Sequence, residues 1–238
     1  EYVDYFVIVE GNKTWQNNSK KLRFNLDNFK KFKDKIIYIP VEDMPEGDNP
    51  YKRENHQRNA ISRGLVNAAD DDFVIISDLD EIPNPKKIKF FEKKMKYAVF
   101  KQMHFYYKIN LQSQINPYWL GSRICLKRYL KSPQWLRNLK AKKKPFWKIF
   151  KNQIQLIENG GWHFSFLKSP EAIRNKIISY SHQEYNTENF TNIDLIKKRI
   201  SLGEDLFQRK IEYKKVDIDD TFPEYIIKNK DMFKNWIL

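Results

Sequence analysis

The chain's 238 residues, 41% hydrophobic and 15% aromatic, suffice for one domain with a sizeable core and are too few for two ordinary ones. Its single cysteine, Cys125, excludes an internal disulfide or a thiolate metal site and fits a reducing, cytoplasmic setting. The net charge of +14 implies an anionic partner wherever it clusters, and it is densest over Lys140–Lys151, where the plainer alternative is a solvated lysine-rich loop.

In chain order, the charged and aromatic start Glu1–Glu10 lacks the basic-then-apolar layout of a signal peptide. No run of about eighteen apolar residues follows, so the residues in hand are expected to be soluble; an anchor upstream of them stays open. Tyr2–Val9 and Lys35–Ile39 read as strands. Between Pro50 and Ala69, Ile61, Leu65 and Ala68 recur at helical spacing, with Asn49 placed to cap and Pro50 in the first turn. Phe73–Ser77 is a short β-branched apolar run, expected as a strand buried on both faces, and it ends at Asp78-Leu79-Asp80-Glu81. Pro83 and Pro85 stop it, Lys86–Lys96 predicts a helix, and Tyr97–Ile109 predicts a long strand that pairs with one near Trp119–Leu126. Ile154–Ile157 and Gly160–Ser165 suggest two strands joined by a glycine turn. Ser169-Pro170-Glu171 sets a cap, a first-turn proline and a carboxylate ahead of a helix over Ala172–Tyr180. Alternation of strands and helices in the first half predicts an α/β fold with a substantially parallel sheet.

Two carboxylates at i and i+2 at a strand end project the same way and can share one hard cation with phosphate oxygens. Asp78 and Asp80 have that spacing, at the carboxyl end of a strand, where open α/β sheets collect ligands. An acidic capping turn is the plainer alternative. A sugar-nucleotide transferase suits the pattern, because its departing diphosphate builds negative charge that a divalent metal stabilises. So does a phosphatase of the haloacid-dehalogenase type, with Asp78 as nucleophile and Asp80 as general acid. A non-enzymatic basic module that binds glycan or nucleic acid would explain the lysines and aromatics, but leaves the strand-end acids without purpose.

His163, beside Trp162, can complete the coordination of a metal such as Mn²⁺, or be a buried histidine satisfied by a backbone carbonyl, the commoner case; the same holds for His104 and His182. Glu54 and Arg58 lie one helical turn apart, placed either for Arg58 to reach a phosphate or for an ordinary ion pair. For a base that deprotonates an acceptor hydroxyl, the sequence offers Glu81, Glu171, Glu184 and Asp205. Trp119 and Trp162, each near a glycine and polar residues, are the tryptophans expected at the surface as sugar platforms.

Val9-Glu10-Gly11-Asn12-Lys13-Thr14, Ile76-Ser77-Asp78-Leu79-Asp80-Glu81-Ile82-Pro83 and Gly161-Trp162-His163-Phe164-Ser165, in this order, resemble glycosyltransferase family 17. The resemblance runs on through Ser169–Ile173, Ser181–Asn186, Gly203–Phe207 and Pro223-Glu224-Tyr225, and so covers nearly the whole chain. Phe164 stands where animal members carry a cysteine, which brings the chain closer to the short microbial members. The resemblance implies a glycosyltransferase A-type fold and an inverting transfer, from UDP-N-acetylglucosamine, to a glycan acceptor. It implies Mn²⁺ or Mg²⁺ held by Asp78, Asp80 and His163, a donor site drawing on Glu10, Glu54, Arg58, Asp78 and Trp162, and a base ranked Glu184, Glu171, Asp205. Lys140–Lys151 is expected to approach an anionic acceptor or surface, and no nucleic-acid partner is expected. Members begin with a strand and an acidic helix ahead of the segment matching Tyr2–Glu10, so residues 1–238 are expected to form a single transferase domain without that first strand and helix.

Overall fold

The computed structural model describes residues 2–140 and 154–238. β1 (Phe6–Gly11) and β2 (Ile36–Val41) pair in parallel as a two-stranded sheet of their own. α1 (Pro50–Asn59) begins where the Asn49 side chain accepts the Tyr51 and Lys52 amides, as its sequence predicts, and a 3-10 stretch, Ala60–Gly64, ends it short of Ala69. Buried Val41, Met44 and Ala60 join these pieces, with Val9, Trp15 and Ile39 packed around them.

The larger sheet holds β3 (Phe73–Ile76), β4 (Glu81–Pro83), β5 (Tyr97–Tyr106), β6 (Leu111–Ser113), β7 (Tyr118–Leu126), β8 (Gln155–Ser165) and β9 (Tyr213–Lys215). Its path runs β3-β7-β5-β6-β9, while β8 lies along β5 and carries β4 on its other side. The fold is mixed α/β, but the expected parallel sheet is not what forms. Among the described residues β1–β2 and β5–β8 are parallel and the other five pairings are antiparallel. A parallel neighbour requires a crossover, usually a helix that covers the sheet. Lys86–Lys96 cannot provide one. Ile88, Phe91 and Met95 do recur at helical spacing, but its lysines repel at the same spacing, and it forms only two 3-10 segments, Pro85–Phe90 and Lys93–Met95, that pack Ile88 and Phe91 inward. β3, expected to be buried on both faces, is among the described residues an edge strand bonded to β7 alone, and Phe73 is exposed.

The glycine turn expected at Gly160 is instead a bulge within one strand. β8 advances from Ile157 to Gly161 while β5 advances only from Phe100 to Gln102. Asn159 (φ 50°) and Gly161 (φ 132°) take left-handed backbone there. A Cβ on Gly161 would lie 2.1 Å from the Ile82 carbonyl oxygen, so the close approach of β4 requires glycine. Gly161→Ala is therefore expected to cost about 1–3 kcal/mol from backbone strain alone, read as a lowered urea midpoint. A midpoint within error of the parent would show that the bulge relaxes freely.

The two faces of this sheet differ. Phe105, Trp162 and Phe164 bury against Phe222 and Ile226, the latter on α6 (Glu224–Lys228), which follows α2 (Pro133–Arg137), α3 (Pro170–Ser179), α4 (Glu188–Thr191) and α5 (Ile193–Leu202) in the chain. On the other face Tyr106 and Tyr107 pack with Ile173 and Ile177 of α3 and Ile196 of α5. α3 is capped as predicted, with Ser169 Oγ accepting the Ala172 amide at 3.3 Å. Toward the end of this second face the apolar packing gives way to polar side chains.

Candidate active site

β3 ends at Ile76, and Asp78 opens a turn whose Glu81 amide donates to the Asp78 carbonyl at 3.0 Å. Leu79 at its corner is fully exposed. Because the chain turns here rather than continuing as a strand, the two carboxylates do not share one position, contrary to the expectation from their spacing. Asp78 faces two guanidinium groups. Its Oδ1 accepts from Arg58 Nη2 at 3.0 Å and its Oδ2 from Arg137 Nη2 at 2.7 Å. Asp80 faces His163 Nε2 and Lys176 Nζ, each at 3.5 Å. Burial works to raise both carboxyl pKa values, but the Arg137 and Arg58 guanidinium groups at Asp78, and the His163 hydrogen bond with Lys176 at Asp80, outweigh it and hold both below the usual range.

β4 and β8 fix this geometry. Glu81 is paired in register with His163, His163 with His104, and the Phe164 amide donates to the Asp80 carbonyl at 2.9 Å. The His104 and His163 rings stack at 4.9 Å, and the half-exposed Trp119 ring lies 5.0 Å from His163. Burial and the neighbouring His163 push His104 down to about 4, so it is neutral near pH 7. Its Nδ1 contacts the Asn116 carbonyl oxygen at 3.3 Å, the carbonyl-satisfied arrangement expected of it. Glu81 is buried: Oε1 accepts from Trp119 Nε1 at 2.8 Å and from Arg137 Nη2 at 2.6 Å.

A second layer reaches Asp78 from α1. Glu54 holds Arg58 at 3.2 Å and accepts from Ser181 Oγ at 3.0 Å, tying the segment after α3 to the site. Beyond Ser181, His182 Nδ1 lies 2.9 Å from Glu184 and 3.3 Å from the Tyr51 hydroxyl. His182 is exposed, not buried as expected. Glu184 and Glu171 are both exposed; the Glu184 amide and His182 lower the first, and the Glu171 amide and Ser169 lower the second.

Three expected site residues have structural partners instead. Trp162 is not at the surface: it is buried, with Nε1 donating to the Thr221 carbonyl at 2.9 Å. Glu10 is a clasp. Its carboxylate accepts the Arg23 and Phe24 amides and the Tyr38 hydroxyl, which with Lys20 overcome burial and keep its pKa lowered. Asp205 has its acceptor capacity filled by the Arg209 side chain, the Tyr213 hydroxyl and the Phe207 and Arg209 amides, and these overcome burial to hold it low. A carboxyl held low by folding stabilises the fold above its unfolded pKa of about 3.9. That contribution fades as pH falls through this value toward the folded one. Asp205→Asn is expected to reduce stability at neutral pH and to flatten the acid loss, measured as urea midpoints on both sides of that range; parallel pH curves for parent and variant would refute it.

As for a metal, among the described residues no group of three or more His, Cys, Asp or Glu converges. Asp80 and His163 offer a carboxylate and an imidazole on one spot, a pair that suits Mn²⁺ or Mg²⁺ when phosphate oxygens and water complete the shell. Asp78, with both oxygens taken by arginine, does not fit that role. Among the described residues His163 Nδ1 is buried without a partner, so the histidine lacks there the acceptor that usually fixes a ligating ring.

Over residues 1–235 the sequence fits the pattern of Glycosyltransferase family 17. The chain belongs to that family. It is 24% identical to the β-1,4-mannosyl-glycoprotein 4-β-N-acetylglucosaminyltransferase of Rattus norvegicus, over 98% of this chain and 49% of the relative, and 24% identical to that of Homo sapiens, over 98% and 50%. The chain thus spans about half the length of the curated relatives it matches. No solved structure matches it. Membership in family 17 leaves the phosphatase and binding-module alternatives without support.

The residues of this family 17 site that sequence reasoning missed are Arg137 and Lys176. Arg137 had a usable signal. Ser132-Pro133 opens α2 with the same cap-and-proline signature as α3, and Ser132 Oγ accepts the Trp135 amide. Lys176 had none, since no local pattern tells which lysine of a helix meets a turn nearly a hundred residues earlier.

Proposed function

We propose that this domain transfers N-acetylglucosamine from UDP-N-acetylglucosamine to a glycan hydroxyl with inversion, on a glycosyltransferase A-type scaffold. The observation that carries the reading is Asp80, in the turn after β3, facing His163 on β8 and Lys176 on α3. Asp80 and His163 would hold Mn²⁺ or Mg²⁺, which when bound supplies positive charge against the departing diphosphate. Lys176 adds a fixed cation at the same place. Arg58 and Arg137, oriented by Asp78, Glu54 and Glu81, present two guanidinium groups suited to the donor's phosphates.

Trp119 offers an apolar face beside His163 on which a pyranose can pack, its indole fixed by Glu81. Glu184 is the proposed base. It takes the proton of the acceptor hydroxyl as the new bond forms from that oxygen to the anomeric carbon and the bond from that carbon to the diphosphate breaks on the opposite side. Its tie to the site runs through the adjoining Ser181 to Glu54 and Arg58. Glu184→Gln is expected to lower kcat about 100-fold or more with KM for the donor little changed; an unchanged kcat would move the role to Glu171.

Calorimetric titration with UDP and UDP-N-acetylglucosamine, with and without Mn²⁺, tests the donor site. Metal-dependent binding of both is expected. Binding without any metal dependence would favour Lys176 as the sole countercharge, and no binding in any condition would overturn the donor reading.

A further inference from the structure

We propose that the end of the larger sheet opposite the Asp80 site is a docking surface for an anionic lipid bilayer, built on the two 3-10 segments Pro85–Phe90 and Lys93–Met95. Strand registers fix the geography. At one end Phe73 pairs with Leu126 and Ala98 with Gln155; at the other, Met103 pairs with Tyr118 and His104 with His163. β8 spans the distance between them, about 20–25 Å at the rise of an extended chain.

Between Lys86 and Lys96 six lysines meet one acid, Glu92. Lys86 pairs with Glu224 and Lys94 with Glu92. The other four lie over aromatic rings: Lys87 and Lys89 over Phe90 at 5.2 and 5.4 Å, Lys93 over Phe73 at 5.5 Å, and Lys96 over Tyr129 at 5.2 Å. Phe90 is 53% exposed and Phe73 42%, in a residue type that folded chains normally bury. Of the three acids in the adjoining turn, Asp71 pairs with Arg128 and Asp72 accepts the Ala69 amide, while Asp70 is exposed.

A lysine cluster alone suits any polyanion. The phenyl rings at its centre decide between partners. A bilayer takes apolar rings into its acyl boundary while lysines extend to anionic headgroups, so both features are used at once. A nucleic-acid strand would stack its bases on open ring faces, and here those faces carry the protein's own ammonium groups. Docking by this end would leave the Asp80 site turned away from the bilayer and open to donor and acceptor.

Flotation of the whole chain with vesicles of phosphatidylcholine, alone or mixed with phosphatidylglycerol, tests the proposal. Binding is expected only to the mixed vesicles and is expected to weaken with salt. At about fivefold per lysine, the combined change Lys87→Glu, Lys89→Glu and Lys93→Glu is expected to lower partition about 100-fold or more. Phe90→Ser is expected to lower it by a smaller factor that salt does not alter. The same change of charge at Lys197, Lys198 and Lys214 is expected to leave partition within a few-fold, and thermal melts and UDP binding are expected to match the parent in every variant. Equal losses from the two triple variants, equal binding to neutral vesicles, or capture of a single-stranded oligonucleotide without vesicle binding would each overturn the lipid assignment.

Discussion

Asp80→Ala is expected to abolish metal-dependent UDP binding and to lower kcat/KM about 100-fold or more, the scale of losing one preorganised electrostatic group at a leaving diphosphate. Asp80 is the carboxylate that faces both His163 and Lys176. Asp78→Ala is expected to act differently. It frees Arg58 and Arg137 from their shared anion, so donor binding weakens through disordered guanidinium groups while the metal dependence of the remaining binding persists. Measured side by side by calorimetry, the two variants separate a metal-site carboxylate from an arginine-positioning one. Equal loss of metal dependence in both would show that the two acids act as one site after all.

Arg137→Met is expected to cost about 3–5 kcal/mol of stability, because it leaves a buried carboxylate without its cation. Glu81 is almost wholly enclosed and shares Arg137 Nη2 with Asp78, while Arg137 Nη1 donates to the Gly121 carbonyl at 2.7 Å. A loss of that size is a large fraction of the stability of an ordinary domain. Adding Glu81→Gln to the variant removes the uncompensated charge and is expected to restore a good part of the loss, since neutral glutamine still accepts from Trp119. Urea unfolding of the parent, both single variants and the double variant measures the coupling. A single-variant cost below about 1 kcal/mol would mean that water replaces the guanidinium.

Local signals were legible wherever the chemistry is local. Asn49 and Ser169 announced their helices because a side-chain oxygen next to bare amides needs no tertiary help. The acidic turn after β3 and the Trp162-His163 segment were visible as residue types, and His163 does meet Asp80. The sheet's direction was not legible, because strand periodicity carries no information about which neighbour a strand finds or in which sense. Trp162 was misplaced for a related reason. In a strand adjacent residues take opposite faces, so once His163 faces the site Trp162 is driven into the core, and its neighbouring glycines reflect a bulge rather than exposure. Asp205 looks catalytic and Glu10 donor-binding in a sequence because a carboxylate that caps backbone amides and one that serves a site are written with the same letter. The cluster expected to carry an anionic contact, Lys140–Lys151, lies outside the described residues apart from Lys140.

The bulge in β8 limits which lengths its chain can take in descent. It inserts two residues relative to β5, an even number, so the alternation of sides resumes in phase and His163 still faces Asp80 while Trp162 and Phe164 face the opposite core. Loss or gain of a single residue between Ile157 and Gly161 would exchange the two sets, turning the Trp162 indole toward Asp80 and the His163 imidazole toward Phe222 and Ile226. Related chains should therefore differ in this stretch by steps of two, and odd steps should coincide with a different residue doing the work of His163.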